Sequence, residues 1–178
     1  MSDRELVFSD GCAVSLIGMA GAGKSTLAPL LAAKLDWQFI DTDQVVESFY
    51  GKPLQDIVDY LGLADFRKAE EEILSTLGVL RTVVSTGGSV VYGEKAMERL
   101  KSLGPVVYLR MECKTCLQRV GEGYGRGLAI KPDQSLESLY NERVPLYARY
   151  ADFTVDTDKF SSDECAEKIF QWLKSIQE

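Results

Sequence analysis

Gly18-Met19-Ala20-Gly21-Ala22-Gly23-Lys24-Ser25-Thr26 is the stretch from which the rest of this chain is read. It fits the pattern G-x-x-x-x-G-K-[ST]. With glycine near 7% of residues, a chance match in a chain this long is on the order of 1%. The apolar run at 12–18 (CAVSLIG) reads as a buried strand entering the glycine turn. Apolar residues spaced three and four apart over 25–35 read as a helix leaving it. In that setting glycines let backbone N–H groups turn inward around phosphate oxygens, and the helix brings its positive end under the same group. Gly21, Ala22, Gly23, Lys24, Ser25 and Thr26 are therefore expected to hold a nucleoside triphosphate. Lys24 is expected at the β- and γ-phosphates and the Ser25 hydroxyl on magnesium. Pro29 falls about one turn into the helix, where a missing donor costs little.

Working outward, the same alternation repeats. Short apolar runs at 37–41, 81–86, 105–111 and 152–156 read as four further strands. Amphipathic stretches at 63–77, 94–103, 135–150 and 161–176 read as helices between and after them. Nearly continuous apolar strands imply a parallel sheet covered on both faces. The fold class is α/β: a three-layer P-loop fold with a five-stranded parallel sheet flanked by helices. In such sheets ligands bind beyond the carboxyl ends of the strands, so the residues following each strand carry the chemistry.

Composition narrows that chemistry. The 178 residues suit one domain, 1–178, and 46% apolar with 26% charged residues is a globular composition. The net charge of -7 argues against nucleic acid as the main partner, because phosphate-backbone binding needs a basic face. There is no histidine, which removes the Ser-His-Asp triad and the common histidine zinc sites. Proton transfer must fall to a carboxylate, lysine, tyrosine or cysteine. No run approaches the ~18 apolar residues of a membrane span. The start of the chain has no basic region leading into an apolar one, so a cytoplasmic location with no membrane partner is expected.

The second strand ends in Asp41-Thr42-Asp43. Alternate residues there point to one side and present two carboxylates near the phosphate loop. One suits magnesium and the other an acceptor hydroxyl. Equally, Thr42 or Asp43 could cap a helix over 44–50. Spacing leaves both readings open.

Taken together, the P-loop, Asp41-Thr42-Asp43, Asp65-Phe66-Arg67-x-x-Glu70, Ser85-Thr86-Gly87-Gly88 and Asn141-Glu142-Arg143-x-Pro145-Leu146-Tyr147 resemble the shikimate kinase family in order and spacing. The resemblance runs from about 13 to 156. It implies ATP-dependent phosphorylation of a small hydroxy acid, shikimate to shikimate 3-phosphate, in aromatic amino acid biosynthesis. It also implies a core like that of nucleoside monophosphate kinases, an acceptor lobe near 42–77 and a mobile lid near 121–134. By the same resemblance Asp41 joins Ser25 in the magnesium site and Asp43 meets the reacting hydroxyl. Arg67 and Arg143 grip the acceptor carboxylate, Glu70 stands near Arg67, and Gly87 and Gly88 line the acceptor pocket. Arg119 stacks on adenine, and Arg126 comes with the lid to the transferring group. A monomer is expected.

The residues read alone are blander. Arg67 would be a surface residue paired with Glu70 or Glu71 at helical spacing, Arg143 a solvated charge, and Gly87-Gly88 an ordinary turn. The glycine-rich 121–127 (GEGYGRG) would be a surface loop. Two positions depart from the family pattern. Ser89 stands where a third glycine is usual, adding bulk and a hydroxyl to the acceptor pocket, and Gly127 replaces a lid proline. Ser89 motivates a rival acceptor, homoserine, which also offers a carboxylate and a hydroxyl. A non-catalytic ATP-binding module would lack Lys24, Asp43 or Arg126, and all three are present. Cys113-Lys114-Thr115-Cys116 spells C-x-x-C, but no second pair or histidine completes a metal site, and incidental cysteines are expected.

Overall fold

The computed structural model describes residues 12–121 and 128–176. At its centre β1 (Ala13–Ile17) is buried at every position, its apolar run interrupted only by the equally buried Ser15. β3 (Thr82–Ser85) and β4 (Val106–Arg110) pair with it on either side. β2 (Gln38–Asp41) and β5 (Phe153–Asp156) form the edges, so the order is β2-β3-β1-β4-β5 with every pairing parallel. Each strand is shorter than its apolar run by one or two residues.

Topology creates the crevice. The connection from β1 to β2 runs one way along the sheet, and the connection from β3 to β4 runs the other. Right-handed crossovers in opposite directions place their helices on opposite faces. Accordingly α1 (Lys24–Leu35) packs with α8 (Ser162–Ser175), while α5 (Glu94–Leu103) and α7 (Leu136–Tyr150) contact β1 and β4. The adjacent strands β1 and β3 therefore send their loops apart, which is the switch point where such sheets bind ligands. The register aligns Asp41 with Ser85 and Ser85 with Leu16, so three strands end level there.

Between β2 and β3 the chain builds α2 (Thr42–Tyr50), α3 (Leu54–Leu61) and α4 (Leu63–Ser75). Of these α3 was not foreseen, although Leu54, Ile57, Val58 and Leu61 have helical spacing; eight residues are too few for a periodic signal to stand out. Gly51 and Gly62 punctuate the three helices. Their inner faces meet in a small cluster of Val46, Ile57 and Phe66 with Ala129, apart from the main core around the sheet. On the far side α6 (Cys113–Val120) follows β4 and a 3-10 turn (Val90–Tyr92) follows β3. The cysteines Cys12, Cys113, Cys116 and Cys165 are all free thiols. No helix among the described residues is long and apolar enough to cross a membrane.

Candidate active site

The phosphate loop closes where the sequence puts it. Gly23 sits at φ 90°, in the left-handed region that glycine adopts without steric cost, and its turn starts α1. Ala22 is buried beneath the loop, while Ser25 and Thr26 are exposed on the first turn of α1. Lys24 is the buried charge of the loop. Its Nζ donates to the carbonyls of Gly18 and Met19, each at 2.8 Å. Burial lowers its pKa to about 8, with Asp43 and then Asp41 pulling the other way. An ammonium this poorly solvated seeks an anion.

The two aspartates at the end of β2 divide. Asp41 is itself the cap of α2: one carboxylate oxygen accepts from the Asp43 N–H at 2.9 Å, and the other from the Ser85 hydroxyl at 3.3 Å. The cap is thus neither Thr42 nor Asp43, and the helix starts at 42 rather than 44. Freed from capping, the Thr42 hydroxyl accepts from the Gly87 N–H at 3.0 Å and pins the loop after β3 to the start of α2. Asp43 looks into the cleft. Burial raises its pKa to about 6, and Asp41 raises it further while Lys24 opposes.

Glu70 on α4 faces Asp43 across Gly87. A Cβ placed on Gly87 would come within 2.5 Å of Asp43 Oδ1 and 2.7 Å of Glu70 Oε1, so only glycine lets these carboxylates close on the backbone. Glu70 is 3% exposed. Burial raises its pKa to about 7, against a hydrogen bond from Ser89 that lowers it. That bond, Ser89 Oγ to Glu70 Oε2 at 2.6 Å, uses the hydroxyl that departs from the family pattern. Ser89 lines the cleft, but its proton is spent on Glu70 rather than offered to a ligand.

The arginines are neither solvated nor paired as isolated reading suggests. Arg143 is 1% exposed; its Nη2 donates to the Ala129 carbonyl at 2.7 Å and its Nε to the Tyr92 hydroxyl at 3.4 Å. Its Nη1 faces Gly88, 2.9 Å from where a Cβ would stand. Arg67 forms no ion pair with Glu70 or Glu71 among the described residues. Its guanidinium lies 3.7 Å above the centre of the Tyr92 ring, and its Nε and Nη2 are buried without a hydrogen-bond partner. Arg119, on α6, donates to the Gly21 carbonyl at 3.1 Å beside the phosphate loop. Arg126 and most of the expected lid, 122–127, lie outside the described residues.

These groups surround a cleft of about 370 Å³, whose lining includes Lys24, Ser25, Asp41, Asp43, Ser89 and Arg143. Arg67 does not line it; Tyr92 carries that guanidinium beside Arg143. One end is cationic and suited to phosphate, and the other places two carboxylates against buried guanidinium. The donor set also fits magnesium. Asp41 has no ion pair among the described residues, Ser25 is exposed at the loop, and no cluster of three ligating side chains exists among the described residues. Mg²⁺ is characteristically held by one or two protein oxygens plus phosphate and water.

The model of one family, shikimate kinase, matches residues 20–174. The chain belongs to the shikimate kinase family. It is a small-molecule kinase that transfers phosphate to a hydroxyl, and the activity it shares with the family is phosphorylation of shikimate. Homoserine is not favoured as the acceptor. A shikimate kinase of Thermodesulfovibrio yellowstonii is 35% identical over 89% of this chain and 92% of its own. One from Vibrio campbellii is 38% identical over 90% and 95%. The solved shikimate kinase of Acinetobacter baumannii, in complex with shikimate, superposes with a TM-score of 0.80 at 30% identity, covering 92% of this chain and 93% of that one. ATP is the phosphate donor of the family.

What sequence reasoning missed were contacts between elements. The sequence places Glu70 only near Arg67, whereas it is the buried partner of Ser89 and the neighbour of Asp43. Nothing in the sequence marks Tyr92, since an aromatic seven residues past β3 reads as core. Thr42 appeared only as a cap. Ser89 was the one usable signal, a polar residue where glycine is usual.

Proposed function

We propose that Lys24, Asp43, Arg67 and Arg143 carry the transfer of a phosphoryl group from ATP to the 3-hydroxyl of shikimate. The observation that supports this most directly is the single cleft joining Lys24 to Asp43, Ser89 and Arg143. In this reading Lys24 leaves the Gly18 and Met19 carbonyls for the β- and γ-phosphates, and the inward N–H groups of 21–26 hold the rest. Magnesium, when bound, neutralises phosphate charge, and Ser25 and Asp41 would hold it. Asp43 orients the acceptor hydroxyl and takes its proton, for which a pKa of about 6 leaves it ionised at neutral pH. Arg143, with Arg67, binds the acceptor carboxylate, for which a planar guanidinium is suited. Gly87 and Gly88 keep the cleft open for the ring. Arg119 takes adenine, and Arg126 with the lid 121–134 completes charge neutralisation. The lobe 42–77 belongs to the acceptor. A monomer in the cytoplasm, with neither nucleic acid nor membrane as partner, accords with the net charge of -7.

The test is acceptor-dependent ADP release with Mg-ATP, comparing shikimate, homoserine and no acceptor. Turnover with shikimate alone is expected. Turnover with homoserine alone would overturn the acceptor assignment, and equal release without any acceptor would overturn transfer to a hydroxyl.

A further inference from the structure

Two guanidinium groups share one aromatic ring. Arg67 Cζ lies 3.7 Å and Arg143 Cζ 5.3 Å from the centre of the Tyr92 ring. The hydroxyl of the same residue donates to Glu142 Oε1 at 2.5 Å and accepts from Arg143 Nε at 3.4 Å. Two like charges on one ring, Arg143 buried and Arg67 half-buried, repel and are poorly solvated. The ring offers Arg67 a negative π face, and Glu142 supplies an anion beyond the hydroxyl. Arg143 arrives from α7, Arg67 from α4 and Tyr92 from the end of the 3-10 turn after β3, so three separate elements meet at the ring. What the ring leaves unfilled is informative. Arg67 Nε and Nη2 are buried donors without a partner, and a ring face satisfies a guanidinium's charge without accepting its in-plane N–H groups.

We propose that Tyr92 is a positioning residue for the acceptor carboxylate, holding Arg67 and Arg143 as one binding pair before the acceptor arrives. This rests on the reading above that these two arginines take the carboxylate. Preorganisation has a defined kinetic consequence. The ring and hydroxyl fix the guanidinium planes, so less side-chain freedom is lost on binding. Removing them weakens acceptor binding, leaves ATP binding alone and changes the transfer step little, because Tyr92 itself does not line the cleft beside the phosphate loop. Tyr92→Phe keeps the stacking on Arg67 but loses the contacts to Arg143 and Glu142. Tyr92→Leu keeps apolar bulk without ring face or hydroxyl.

The experiment measures the shikimate Kd by calorimetry and the steady-state KM for shikimate and for ATP. The proteins are wild type, Tyr92→Phe, Tyr92→Leu and Arg67→Ala. Shikimate methyl ester, which lacks the carboxylate charge, is titrated alongside. Tyr92→Leu is expected to raise shikimate Kd and KM about tenfold, with Tyr92→Phe in between, ATP KM unchanged and kcat within about threefold. The preference for acid over ester should shrink in Tyr92→Leu as it does in Arg67→Ala. If Arg67→Ala keeps the wild-type preference, the arginine reading itself fails. If Arg67→Ala loses it while both Tyr92 variants keep it, the arginine reading stands and the role of Tyr92 is overturned. A lowered melting temperature with wild-type Kd would likewise overturn it, leaving Tyr92 as packing. Should Tyr92→Leu not fold, Tyr92→Phe alone decides, since loss of one exposed-side hydroxyl leaves the ring packing intact.

Discussion

Replacing Ser89 by alanine removes one hydroxyl and little else, and the cost should depend on pH. Alanine is preferred to glycine here because it leaves backbone freedom nearly unchanged. The hydroxyl donates at 2.6 Å to a carboxylate that is 3% exposed. Hydrogen bonds to charged groups contribute about 1.5–3 kcal/mol net, and neutral ones about 0.5–1.5 kcal/mol. Burial raises the Glu70 pKa to about 7, above the ordinary carboxyl value of 4.5, so it is neutral near pH 5 and ionised near pH 8.5. A carboxyl raised in the folded state adds stability that is fully present below the unfolded value and is lost as pH rises through the folded one. The Ser89 bond opposes that loss by favouring the ionised form. Ser89→Ala should therefore destabilise by about 1.5–3 kcal/mol at pH 8.5, lowering the melting temperature by roughly 3–12 °C for a chain of this size. At pH 5 the deficit should fall by about 1 kcal/mol or more. Urea unfolding at several pH values, with an unchanged slope, measures this directly. A deficit that is the same at both pH values, or larger at the acid end, would refute a hydrogen bond to an ionising Glu70.

Other outcomes follow from the same cleft. Asp43→Asn should cut kcat by about a hundredfold or more while ATP affinity changes by less than about twofold. In the wild type, kcat/KM for the acceptor should fall as pH drops through about 6, because the raised Asp43 is then protonated, and Asp43→Asn should lose that limb. Gly87→Ala should raise acceptor KM about tenfold without touching ATP KM, since its methyl group meets Asp43 and Glu70 oxygens at 2.5 and 2.7 Å. Lys24→Ala should lower kcat by roughly a hundred- to a thousandfold, as loss of a preorganised charge at a transferring group does; a normal rate would remove Lys24 from the mechanism.

Legibility in the sequence followed periodicity and glycine. All five strands are legible, the three central ones as short, largely apolar and buried runs and the edge strands β2 and β5 as shorter, half-polar ones, and α5 is bounded correctly at both ends. The phosphate loop was readable because its spacing is rigid. The helices of 42–75 were harder, because α3 is only eight residues long and α2 is announced by a carboxylate with two readings. Asp41 shows why spacing leaves that choice open: it caps the helix with one oxygen, accepts from Ser85 with the other, and still lines the cleft. The burial of Arg143 and Glu70 was invisible locally, since each is masked by neighbouring charges in sequence and satisfied only across elements. Tyr92 was invisible for the opposite reason, an aromatic whose ring serves two distant arginines.

The small cluster of Val46, Ile57, Phe66 and Ala129 gives the molecule a second centre of cooperativity. Amides held only by it should open at lower free energy than those of β1 and β3, and exchange with solvent deuterium accordingly. Ala129 comes from beyond 122–127 and carries through its carbonyl a hydrogen bond from Arg143. An acceptor that quiets Arg143 would thus slow exchange in α2 to α4 and at 128–130 together. Nucleotide bound at α1 would protect a different set of amides. Deuterium uptake would then separate the two substrates by where each one stills the chain, with no turnover needed.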